Sequence, residues 1–146
     1  MTTATLPDKP SELIRVALAD LRKVEAMPET YRVDMNRWHH PMGGKCSVCL
    51  AGSVIAQTLG EDPAIDTDHD EIDVDAEGLG DKLSALNDFR MGDVHWGVHT
   101  MLGESTVRGL PEELHTALIA PYDAADPEAF HRDMAKLADD LEAAGL

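Results

Sequence analysis

Apolar positions along the chain fall mostly at helical spacing. Ile14, Ala17, Leu18, Leu21 and Val24 share one face of a helix predicted over Leu13–Met27, with Ser11 as its N-cap and Pro28 as its stop. Val48, Leu50, Val54, Ile55 and Leu59 leave almost no polar face on a second helix, Cys46–Leu59, which is therefore expected in the core. Gly60 can end that helix in the left-handed conformation. Leu83, Leu86 and Phe89 mark a third helix opening at Gly80 or Asp81. Asp93 can cap a fourth, Val94–Leu102, which Gly103 ends. Pro111, followed by Glu112 and Glu113, predicts a fifth through Ile119. Phe130, Met134, Leu137 and Leu141 form the stripe of a sixth, begun by Asp126-Pro127-Glu128 and left at Gly145.

Period-two alternation occurs twice. Tyr31, Val33 and Met35 alternate with Arg32, Asp34 and Asn36, and Ile72, Val74 and Ala76 alternate with Glu71, Asp73, Asp75 and Glu77. These two segments are expected to pair as a solvated antiparallel ribbon. The stretch 38–44, with Pro41 and paired Gly43 and Gly44, reads as a turn or loop. The expected architecture is mainly α: a compact, irregular bundle of about six helices with at most a small two-stranded β ribbon. Residues 1–10 read as a loose arm and 11–146 as one helical domain.

Charge changes this picture. The 146 residues carry 28 Asp+Glu and 12 Lys+Arg, a formal charge of -16. The excess is local: residues 61–81 hold ten acids and no Lys or Arg, and the rest carries 18 acids against 12 bases. So acidic a chain is a poor non-specific nucleic-acid binder, because such binding runs on Lys and Arg against phosphates. It is equally unsuited to an anionic membrane surface. No apolar run is long enough for a membrane span, Met1–Asp8 lacks the regions of a signal peptide, and two cysteines cannot build a disulfide scaffold. The expected compartment is the cytoplasm.

Three clusters bear chemistry. Trp38-His39-His40 followed by Cys46-Ser47-Val48-Cys49 combines imidazoles with a Cys-x-x-Cys spacing. Zn²⁺ takes such ligands in a tetrahedron. At a helix N-terminus the same pair would be a redox couple with Cys46 as the activated thiol, and Cys46 is a candidate nucleophile with His39, His40 or a distant His as base. The plainer alternative is that Cys49 is a small buried hydrophobe and Cys46 a helix-start residue. His95 and His99 stand one helical turn apart, the spacing of zinc-protease helices. The general-base Glu of those helices is replaced by Trp96, which leaves simple metal binding, alone or as a mixed site with His39, His40, Cys46 and Cys49. Finally, Asp66, Asp68, Asp70 and Glu77 occupy positions 1, 3, 5 and 12 of a calcium loop, but Glu71 stands where the hinge glycine belongs. Ca²⁺ binding there competes with a solvated acidic face made of Asp66, Asp68, Asp70, Glu71, Asp73, Asp75 and Glu77. No phosphate-cradling glycine loop or Gly-x-Ser-x-Gly elbow is present.

Tyr31-Arg32-Val33-Asp34-Met35-Asn36-Arg37-Trp38-His39 leading into Cys46-Ser47-Val48-Cys49-Leu50-Ala51-Gly52-Ser53-Val54-Ile55-Ala56 resembles a family of small uncharacterised proteins encoded by tailed bacteriophages and prophages. Leu83-Ser84-Ala85-Leu86-Asn87 and Gly92-Asp93-Val94 are similar to the same family, so that about half the chain is covered. The resemblance implies a phage-associated origin, hence the host cytoplasm, and carries over no catalytic residue. The expectation is a non-catalytic accessory protein that binds a host protein, one with a basic or nucleic-acid-binding surface, through its anionic face. No cofactor is required, Zn or Ca being the alternatives. A homo-oligomer is a further expectation, since a second copy could cover the apolar Cys46–Leu59 helix.

Overall fold

A computed structural model describes residues 6–35, 39–42, 45–57 and 79–146, with the backbone alone at 39–42, 46 and 79. These residues hold six α-helices and one small sheet, so the chain is mainly α. They fall into two compact units, one with residues 16–57 and the other with 6–15 and 79–146. Helix α1, Pro10–Glu25, contributes to both.

In the first unit the predicted apolar face of α1 is buried at Ala17, Leu18, Leu21 and Val24. Strand β1, Tyr31–Val33, forms where the alternation predicts it, but its partner is different. It pairs in parallel with β3, Lys45–Val48, whose other edge takes β2, His39–Met42, antiparallel. The order is β1-β3-β2, one strand more than the expected ribbon. The predicted pairing segment 71–77 lies outside the described residues.

This sheet also corrects the boundary of the second helix. Residues 45–48 are the central strand, hydrogen-bonded on both sides, and so cannot begin a helix. Helix α2 runs instead over Leu50–Gln57. Its first seven residues, Leu50 to Ala56, are all buried, as their lack of a polar face requires. Ala56 joins Val24, Tyr31 and Val48 in a small core, with Val33 at its margin.

In the second unit, α3 covers Leu79–Arg90 and α4 covers Val94–Leu102. Leu83, Leu86 and Phe89 are fully buried, as are Val94 and Val98. The corner between the helices is a Schellman motif: the Asp93 N–H donates to the Asp88 carbonyl (2.9 Å) and the Gly92 N–H to that of Phe89 (2.9 Å). Gly92 is the left-handed residue of this motif, at φ +82°. Asp93 then caps α4 as predicted, its carboxylate accepting from the Trp96 N–H (3.2 Å). Gly97 packs under Phe89 so closely that a Cβ there would lie 2.5 Å from the ring.

Two differences from the predicted helices follow. A short unpredicted helix, α5, spans Glu104–Arg108. The helix expected after Pro111 is only a single 3-10 turn, Glu112–Leu114. Beyond it the backbone bonds to other elements instead of to itself. The His95 N–H donates to the His115 carbonyl (2.9 Å), the Ala117 N–H to that of Gly92 (2.9 Å), and the Ala120 N–H to the Asp133 carboxylate (2.9 Å).

Helix α6, Glu128–Ala143, buries Phe130, Met134, Leu137 and Leu141 as predicted. It ends in a second Schellman motif, with the Leu146 N–H on the Leu141 carbonyl, the Gly145 N–H on that of Glu142, and Gly145 at φ +85°. Ser11 does not cap α1, which starts one residue earlier. Its hydroxyl donates to the Leu146 carbonyl (3.1 Å). Leu6, expected in a loose arm, is buried, and its carbonyl accepts from Lys82 Nζ (2.9 Å).

The two Schellman glycines make an internally controlled test. A Cβ at Gly92 would lie 2.2 Å from the Ala117 carbonyl oxygen, whereas one at Gly145 would meet nothing within 4 Å. Gly145→Ala should cost about 1 kcal/mol, the left-handed penalty alone. Gly92→Ala should cost about 2–4 kcal/mol, because backbone must also move. Urea denaturation of both variants measures the difference.

Candidate functional site

The concave feature with the most chemistry on it lies in the second unit, between α4, α5 and the 3-10 turn. It is a groove of about 570 Å³. Val107 and Leu110, both buried, form apolar parts of its lining. Arg108 and Glu104, one turn apart on α5, line it and pair with each other (3.0 Å). Glu112 lines it from the 3-10 turn.

His95, Trp96, His99 and His115 line the same groove. Their local geometry follows from the backbone around Gly92. The bond between the His95 N–H and the His115 carbonyl holds residue 115 against the first turn of α4. The His95 and His115 rings then lie 5.0 Å apart, centroid to centroid, at a 54° tilt. His115 is oriented further by its Nε2, which is 3.2 Å from the Leu110 carbonyl oxygen. A carbonyl only accepts, so Nε2 is the N–H donor and Nδ1 carries the lone pair of the neutral ring. Trp96, half exposed, stacks on His99 with centroids 4.7 Å apart and planes 8° from parallel.

No family model matches the chain, and neither curated proteins nor solved structures give a significant match.

The residues predicted from the sequence divide between the two units. His39, His40, Cys46 and Cys49 belong to the first, and His95 and His99 to the second. His40 is opposite Ser47 in the sheet, and Cys46 is opposite Pro41 on one side and Tyr31 on the other. Cys46 is thus on a strand, not at a helix N-terminus, which removes the geometry expected to activate its thiol. Cys49 takes the position before α2. It is fully buried, its carbonyl accepts from the Ser53 N–H (2.9 Å) and hydroxyl (2.8 Å), and its Sγ lies 3.4 Å from the Gly52 nitrogen that donates to it. Trp38 and the acidic residues Asp66, Asp68, Asp70, Glu71, Asp73, Asp75 and Glu77 lie outside the described residues, and with them the candidate calcium loop.

His95 and His99 share a helix and both have Trp96 as a ring neighbour, His99 closely (4.7 Å) and His95 more distantly (6.5 Å), but His95 is the one that meets His115 (5.0 Å). His115 was not singled out by sequence. It sits twenty positions from His95 in a segment read as helix, so no local spacing could signal the pair. Among the described residues no three His, Cys, Asp or Glu side chains converge as a preformed metal cage. None of their helices is long and apolar enough to cross a membrane.

The corner that carries α4 is electrostatically loaded. Burial, and then the nearby Asp93 charge, push the Asp88 pKa above its ordinary value, against a hydrogen bond with Thr100. The folded protein therefore holds this proton to higher pH than the unfolded chain does. The penalty for ionising Asp88 is absent below the ordinary carboxylate range, grows as pH rises through the raised value, and is then constant. Asp88→Asn should accordingly be more stable than the parent at pH 7 and lose that advantage on acidification toward pH 3. Paired thermal melts across that range measure it.

Proposed function

We propose that the protein is a non-catalytic accessory protein, of phage or prophage origin, that binds a protein partner through its acidic segment. One observation carries this reading: ten of the sixteen excess negative charges sit within residues 61–81, where no Lys or Arg occurs. An anionic surface of that density attracts and orients a basic partner more than it adds affinity by contact. The partner it fits has a basic face, such as a nucleic-acid-binding groove, in which the carboxylates stand in for backbone phosphates.

The pairing of the cations supports the reading. Arg15 lies against Asp139 and Glu142, Lys82 against Asp8, Arg108 against Glu104, and Lys136 against Asp140. Arg22 and Lys23 likewise sit beside Glu25 and Asp20. Each of these six bases has a carboxylate neighbour outside the segment.

The test compares the full chain with a variant in which Asp66, Asp68, Asp70, Glu71, Asp73, Asp75 and Glu77 become Asn or Gln. Each is immobilised and exposed to host lysate, and the captured protein is purified and titrated. The parent should bind it with an affinity that falls at least about tenfold between low and high salt, and the neutralised variant should lose binding to a similar degree. Equal affinity of the two chains, or binding indifferent to salt, would contradict the proposal.

A further inference from the structure

We propose that His95 and His115 form a two-histidine site for a divalent transition-metal ion such as Zn²⁺, independent of the acidic segment and of the partner proposed above. Zn–N(imidazole) bonds of about 2.0–2.1 Å put each ring centroid about 3.2 Å from the ion. Two rings at a tetrahedral angle then lie about 5.2 Å apart, and at a right angle about 4.5 Å. The observed centroid separation, 5.0 Å, falls between these limits, and the 54° tilt is one that two ligands on separate backbone segments can adopt.

The chemistry of His115 agrees. A histidine that ligates through one nitrogen generally donates its other N–H to a carbonyl or carboxylate, which fixes the tautomer and raises the basicity of the ligating atom. His115 already does so: Nε2 donates to the Leu110 carbonyl, leaving Nδ1 as the ligand atom. The backbones of the two histidines are tied by the His95–His115 hydrogen bond, so little ordering remains to be done when the ion binds. The space is available as well, since both rings line the open groove, where Glu112 contributes an anionic charge. With two protein ligands, the remaining positions on the ion are filled by water.

This pair differs from the His95–His99 pair that the sequence suggests. His99 is stacked flat on Trp96, and the proposal gives it no role in binding the ion.

Zn²⁺ titrated into the full chain by calorimetry tests the assignment. His95→Gln and His115→Gln should each weaken one binding event at least tenfold, and His99→Gln should leave it within about twofold. Affinity equal to the parent's in either the His95→Gln or the His115→Gln variant would overturn the proposal. So would a loss caused by His99→Gln and not by His115→Gln, which would move the ion to the helix pair. A measurement on the unmutated chain guards against misfolded variants. Zn²⁺ should shift the imidazole NMR signals of His95 and His115 and leave that of the buried His131 in place; unshifted His95 and His115 signals would end the proposal.

Discussion

The corner between α3 and α4 closes because residue 92 has no side chain. A carbonyl oxygen from Ala117 occupies the position where any Cβ would stand, 2.2 Å away, and the Gly92 backbone is already in the left-handed region. The segment after the 3-10 turn can therefore lie flat on the corner and exchange hydrogen bonds with it through Gly92 and His95. A second close approach, Phe89 on Gly97, sets how near α4 comes to α3. The groove, the His95–His115 pair and the outward-facing Trp96–His99 stack all inherit their positions from these two contacts.

The other unit is organised by a different constraint. A strand with neighbours on both edges has its backbone donors and acceptors committed, and β3 is such a strand. It moves the start of α2 to Leu50 and fixes Cys49 as a buried residue at the junction, where its carbonyl receives both the Ser53 N–H and hydroxyl. The Cys-x-x-Cys spacing thus spans a strand and a helix start. Its two cysteines belong to different local structures.

Legibility from the sequence tracks how local each cause is. The stripes of α1, α3 and α6, the Asp93 cap and the stops at Gly103 and Gly145 are set by residues within a few positions of one another, and are found where the pattern puts them, while the stop expected at Gly60 lies outside the described residues. The errors lie where distant backbone competes. The apolar run that predicts the buried helix extends it back to Cys46, yet strand pairing with residues 31–33 and 39–42 decides residues 45–48. Residues 115–120 follow a good helix start, yet the His115 carbonyl and the Ala117 and Ala120 N–H groups go to His95, Gly92 and Asp133. The candidate site shows the same division. His95, Trp96 and His99 were legible as a cluster on one helix, but the meeting of His95 with His115 depends on that non-local strap.

The segment 115–117 is held to the α3–α4 corner and thereby builds the groove. Native-state amide hydrogen exchange tests it most directly. The amides of His95 and Ala117, whose acceptors are the carbonyls of His115 and Gly92, should be protected to a degree comparable with amides inside α3. Exchange of these two amides at unstructured-chain rates, with α3 still protected, would contradict the account.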